Sequence, residues 1–119
     1  MGEKIKLPAP QTESEMSVEN AMSLRCSNRS FAKKPLSLRQ IGQILWSAQG
    51  ITREGGRKRA APSAGATYPL EVHIGVQEGG VDGLDGGIYS YDPTDNSLEQ
   101  EEGEYIPEKI TQRSKYPAV

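Results

Sequence analysis

Arg25, Ser27 and Arg29 stand at alternate positions in the stretch Arg25-Cys26-Ser27-Asn28-Arg29. Along an extended backbone, alternate side chains project to one side, so two guanidinium forks and a hydroxyl could surround a phosphate. Arginine suits that task because its planar donors engage phosphate oxygens in pairs. The same residues also read as a solvated turn carrying ordinary surface arginines. A second cluster is the run Pro62-Ser63-Ala64-Gly65-Ala66-Thr67-Tyr68-Pro69. Its small residues let backbone amides and carbonyls approach a flat ligand, and Ser63 adds a hydroxyl that both donates and accepts. Between the clusters, Arg53, Arg57, Lys58 and Arg59 concentrate positive charge in a glycine-containing run, which reads as a mobile solvated loop, a ligand clamp or a nucleic-acid contact.

Other chemistry is poorly supplied. A lone cysteine, Cys26, permits no internal disulfide and no thiolate zinc cage, and the expected setting is the cytoplasm. His73 is also alone, and its alternating neighbours make it a partly exposed strand residue. Serine-hydrolase and zinc chemistry are therefore not expected, and no metal site is assigned. The Gly/Asp-rich stretch 79–87 lacks the ordered ligand spacing of a calcium loop and reads as a tight connection. No stretch reaches the roughly 18 apolar residues of a membrane span.

The elements that must hold these clusters follow from periodicity. Ser17 caps a short helix carrying Val18, Ala21 and Met22 and ending near Arg25. Pro35-Leu36-Ser37 precedes Leu38, Ile41, Ile44, Leu45 and Ala48, a helix with Ser37 as cap, Leu36 placed for a hydrophobic staple and Gly50 as stop. Trp46 widens its apolar face and is expected as a core anchor. Residues 50–69 hold too many glycines and prolines for regular structure. Strands are expected from Leu70 to Val76 and over Ile88 to Tyr91, with a shorter one at Ser97 to Gln100 and a final helix over Ile106 to Lys115. Residues 1–16 read as an extended arm, disordered or laid across a partner, followed by one domain over 17–119.

Composition adds a tension. Leu, Ile, Val and Phe number 22 of 119 residues, a thin supply of core formers. The formal net charge of -2 hides a basic front and an acidic back. Residues 1–70 hold 11 Lys and Arg against 5 Asp and Glu, whereas residues 71–119 hold 3 against 11. The acidic half, and the lack of aromatics interleaved with the basic run, argue against a nucleic-acid partner.

Four motifs, in order, resemble the nitroreductase superfamily of flavoproteins, and most closely its SagB-type branch of thiazole/oxazole-forming dehydrogenases. They are Arg25-x-Ser27-x-Arg29, the Pro35-Leu36-Ser37-Leu38 helix start, Leu45-Trp46-Ser47-Ala48-Gln49-Gly50-Ile51-Thr52, and the run from Pro62 to Glu71. The segment Gly87 to Pro93 is similar to that branch's next hairpin. Nitroreductases proper commonly carry Asn where this chain has Ala66.

The resemblance implies an α+β fold, the N-terminal part of a nitroreductase-like α/β/α sandwich with a small, mostly antiparallel sheet. It implies FMN as cofactor, hydride transfer through the flavin, NAD(P)H as a possible electron donor and a small-molecule substrate. Arg25, Ser27 and Arg29 would hold the phosphate and ribityl tail, while Pro62, Ser63, Ala64 and Gly65 would line the isoalloxazine. A complete member continues for about as many residues again, so the expectation is a split or truncated gene product or an N-terminal fragment. Its site would be completed by a homo-oligomer or a complementary C-terminal chain. The alternative expectation is a non-catalytic remnant or interaction module.

Overall fold

A computed structural model describes residues 4–55 and 58–101. Four strands form one sheet in the order β1-β4-β3-β2, with β1 at Lys4–Lys6, β2 at His73–Val76, β3 at Gly87–Asp92 and β4 at Ser97–Gln100. Every pairing is antiparallel. The 92–97 connection joining β3 to β4 is closed locally, because the Asp92 carboxylate accepts from the Thr94 amide at 2.9 Å and Asn96 takes a left-handed φ of +52°. Lys4–Lys6, inside the stretch expected as an arm, is thus a strand of the chain's own sheet. Lys4 also donates to Asp92 at 3.1 Å and Asp95 at 2.9 Å, pinning β1 across the β3–β4 turn.

Register sorts the sheet into two faces. Ile5, Leu98 and Tyr91 stand opposite one another, and the Tyr91 amide donates to the Val72 carbonyl at 3.0 Å. These residues, with Ile74, Val76 and Tyr89, belong to the apolar side, since strand side chains alternate. The next row, Lys4, Glu99, Ser90 and His73, lies on the polar side. Leu7, Leu45, Val76, Val81, Leu84, Tyr89, Tyr91 and Leu98 make the buried core, with Tyr89 at 1% exposure and Leu98 at 0%. Burial raises the pKa of both core tyrosines, so each phenol stays protonated and donates, Tyr89 to the Asp85 carbonyl at 2.7 Å and Tyr91 to Asn96 Oδ1 at 3.1 Å.

Among the described residues, two α-helices accompany the sheet. In α1, Val18–Leu24, the Ser17 hydroxyl accepts from the Asn20 amide at 3.0 Å, as the capping rule requires. In α2, Leu38–Gln49, Ser37 and Gln40 form a reciprocal capping box with bonds of 2.9 and 3.1 Å. Leu38, Ile41 and Leu45 of α2 face the core, but Ile44 is 60% exposed and Ala48 is exposed as well. The apolar arc read from sequence is wider than the contact α2 makes with the sheet. Trp46 is likewise half-buried and outside the core cluster, a correction to its expected role as core anchor. It explains Gly50 instead. A Cβ on Gly50 would fall 2.2 Å from Trp46 Cδ1 and 2.5 Å from the Trp46 carbonyl, so close approach rather than a left-handed turn demands glycine there.

The expected strand from Leu70 begins only at His73, and Leu70 is 71% exposed. The pairing partner β3 ends at Asp92, which the register places opposite Glu71, so Leu70 has no ladder to join. The helix expected over 106–115 lies outside the described residues.

Candidate functional site

Gly50 to Thr52 runs antiparallel to Lys58 to Ala60. The Thr52 amide donates to the Lys58 carbonyl at 3.0 Å and the Ala60 amide to the Gly50 carbonyl at 2.9 Å. This short ladder draws the end of the basic run onto the end of α2. Gln49 lies four residues beyond the buried Leu45, on the inward face of α2, and is itself 9% exposed. A polar group at a core position needs a partner. Arg59 supplies one, its Nη1 donating to Gln49 Oε1 at 3.3 Å.

Arg59 also organises the second cluster. Its guanidinium carbon lies 4.5 Å from the centre of the Tyr68 ring, within cation–π range, and its backbone amide donates to the Tyr68 hydroxyl at 3.2 Å. The Tyr68 amide in turn donates to Ser63 Oγ at 2.9 Å. A line of contacts therefore runs from α2 through Gln49, Arg59 and Tyr68 to Ser63, fixing the turn at Ala64–Ala66 against the scaffold. The turn closes with the Ala66 amide on the Ser63 carbonyl at 3.1 Å and Thr67 Oγ1 on the Ala64 carbonyl at 3.2 Å. Three residues take left-handed backbone angles here: Gly65 at φ +66°, Ala66 at +54° and Tyr68 at +43°. Gly65 adopts this freely, whereas alanine and tyrosine pay about 1–2 kcal/mol each.

Pro62, Ser63 and Gly65 line one open cleft of about 740 Å³ together with Lys58, Arg59, Ala61, Ala66 and Tyr68. Ala64 is exposed in the turn between them. Arg25, Ser27 and Arg29 follow the end of α1 and are all exposed. Neither guanidinium nor the Ser27 hydroxyl makes a hydrogen bond or ion pair among the described residues. The structure thus brings Pro62, Ser63 and Gly65 onto one cleft, with Ala64 outside its lining. It does not place Arg25, Ser27 or Arg29 on the lining of that cleft. Cys26, beside them, is an exposed free thiol.

Gln49 and Tyr68 line this region without having been singled out from the sequence, whereas Arg59 belongs to the basic run read as a mobile solvated loop, a ligand clamp or a nucleic-acid contact. The available signal was Gln49, a polar residue at helical spacing from Leu45.

A second cleft, of about 420 Å³, shares Arg59 and Tyr68 with the first and is lined also by His73, Ser90, Tyr91 and Glu99. There His73 Nδ1 lies 2.9 Å from Glu101 Oε1. Among the described residues, no group of His, Cys, Asp or Glu is arranged to hold a metal ion, and no helix is long and apolar enough to cross a membrane.

No protein-family profile matches the chain. It is 40% identical over 98 residues to a Methanocaldococcus jannaschii protein named "Putative nitroreductase MJ1384", a match covering 82% of this chain and 48% of that protein. Its fold is similar to the crystal structure of a protein from Ralstonia eutropha JMP134 described as "a putative nitroreductase", with a TM-score of 0.71 and 33% identity, over 85% of this chain and 44% of that one. The chain therefore spans about half the length of the relatives it matches. Within that span, its two helices and antiparallel four-stranded sheet are an α+β arrangement, and a sequence relative and a fold neighbour together support its relationship to the nitroreductase family.

Proposed function

We propose that this chain carries the FMN-binding elements of a nitroreductase-type oxidoreductase, of the SagB-type branch, and that the site is completed by further polypeptide. The observation that carries this reading is the Ser63–Tyr68 turn, which lays small residues along an open cleft beneath a tethered guanidinium.

The residues fit such a cofactor on three counts. Arg59 Nε is buried with no hydrogen-bond partner, so a donor at the cleft wall is left unused. A Cβ at Gly65 would meet only Thr67 Cγ2, at 3.9 Å, so the backbone there is open to a flat ligand. Arg25 and Arg29 are two uncommitted guanidinium groups, the donor type that phosphate oxygens favour.

Bound FMN would supply two-electron chemistry, accepting and releasing hydride at its ring. The protein's part is binding and orientation. The Pro62–Gly65 turn would lie against the ring edge, held in shape by Ser63 Oγ, which accepts from the Tyr68 amide and lies 3.4 Å from Thr67 Oγ1. Arg59, held by Gln49 and Tyr68, would place positive charge where negative charge gathers on a seated ligand. Arg25, Ser27 and Arg29 would take the phosphate and ribityl tail. NAD(P)H is the proposed electron donor and a small molecule the proposed substrate.

The test is a titration of FMN into the chain, alone and co-expressed with the remaining portion of a related sequence, followed by flavin fluorescence. Quenching that saturates supports the reading. Fluorescence unchanged in both preparations refutes it.

A further inference from the structure

The α1 helix is amphipathic, yet none of its residues is buried. At 100° per residue, Val18, Ala21, Met22 and Leu24 fall on one side and Glu19, Asn20 and Ser23 on the other. An apolar stripe of this kind normally faces a core. Here Val18 and Met22 are each 73% exposed and Leu24 63%, with Met16 at 51% just before the helix and Phe31 at 64% just after it. The stripe is not a consequence of poor folding signals, because the Ser17 cap is formed and the helix ends with the Arg25 amide on the Ala21 carbonyl at 3.0 Å. The helix is well specified and, among the described residues, lacks a partner for one face.

The relatives say how much polypeptide is available to cover it. The chain aligns along 82–85% of its own length but along only 44–48% of theirs, so about half of each relative lies outside the match. We infer that the apolar face of α1, with Met16 and Phe31 at its ends, is the docking surface for that unmatched portion of the nitroreductase-type fold, whether it is supplied in the same polypeptide or another. The inference rests on the family-level reading above. The occupant must present an apolar face of its own, because the stripe offers only aliphatic side chains, thioethers and one phenyl ring. Docking there also brings the occupant beside Arg25, Ser27 and Arg29, which leave the helix directly after it.

The test uses the 119-residue chain, wild type and Val18→Glu/Met22→Glu, co-expressed with an affinity-tagged segment of the Methanocaldococcus jannaschii relative lying outside the matched stretch. Asn20→Glu on the polar face is the control. Wild type and control should co-purify with the tagged segment, and the double variant should be lost from it. Cys26, two residues beyond the helix and exposed, reports the contact directly. Its maleimide labelling should slow at least tenfold in the wild-type complex relative to the chain alone. The untagged double variant, purified by itself, should keep the thermal midpoint and far-ultraviolet circular dichroism of the wild type, since both residues are already in water.

Retention of the double variant by the tagged segment, a lowered midpoint of the variant alone, or no association of the wild type would overturn the proposal. So would a stable dimer of the chain alone that the double variant dissociates, which would assign the face to a second copy. Flavin is read separately. A complex without flavin overturns the cofactor reading and leaves the surface standing, whereas flavin held by a chain that does not associate with the segment does the reverse.

Discussion

Replacing Ser63 by alanine should loosen the turn that lines the cleft while leaving the sheet intact. Ser63 Oγ is the acceptor for the Tyr68 amide at 2.9 Å, and Tyr68 sits at a left-handed φ of +43°. A hydrogen bond of this kind contributes about 0.5–1.5 kcal/mol net. The left-handed angle costs about 1–2 kcal/mol, so the bond and the strain are of similar size. Ser63 is half-buried, which lets water replace part of the lost bond and keeps the expected cost near the middle of the range. About 1 kcal/mol of lost local stability corresponds to roughly a fivefold faster opening of the turn. Amide hydrogen exchange by NMR on the chain alone should therefore show the Tyr68 amide exchanging about five- to tenfold faster in Ser63→Ala. The Tyr89 and Leu98 amides should be unaffected, since their pairing partners lie in the sheet. Ser63→Thr, which keeps the hydroxyl, should restore slow exchange. A Tyr68 amide within twofold of wild type in Ser63→Ala, or one equally fast in Ser63→Thr, would refute the role given to the hydroxyl.

Ala66→Gly should stabilise the chain by about 0.5–1 kcal/mol in urea titrations, because glycine adopts the φ of +54° without a Cβ penalty. Gly50→Ala should destabilise by about 1–3 kcal/mol, as overpacking does, and shift the emission of the lone tryptophan, whose ring the new methyl would strike. Asp92 and Asp95 are held below the ordinary 3.8, chiefly by hydrogen bonds from Thr94 and Ser97 respectively and additionally by Lys4. Depressed carboxylates stabilise the fold above their unfolded pKa and lose that contribution as pH falls through the folded value. The stability gap between wild type and Asp92→Asn/Asp95→Asn should accordingly persist at neutral pH and close as the pH falls below 3.8, in urea midpoints measured across that range.

Both described helices and three of the four strands were legible because their signals are local. Ser17 and Ser37 cap where their hydroxyls predict, and Ser97–Gln100 forms the short strand read from its sequence. The first strand was hidden because three residues of Lys-Ile-Lys carry no pattern of their own and are strands only through pairing with β4. Trp46 misled for a related reason. Helical spacing shows which side a residue faces but not how far the neighbouring sheet extends. The turn at Pro62–Gly65 was visible in its small residues. Its anchorage by Arg59 was not, because the contact to Gln49 spans ten residues and depends on the ladder that folds 58–60 back onto 50–52.

The most direct measurement of the central claim is FMN affinity in the chain reconstituted with the unmatched portion of the fold, by flavin fluorescence titration, for wild type and Arg25→Ala/Arg29→Ala. The wild type should bind saturably and the variant at least tenfold more weakly, while the variant's own thermal midpoint should not change because both arginines are exposed and uncommitted among the described residues. No saturable binding by the wild type complex, or equal affinity in the two, would contradict that claim.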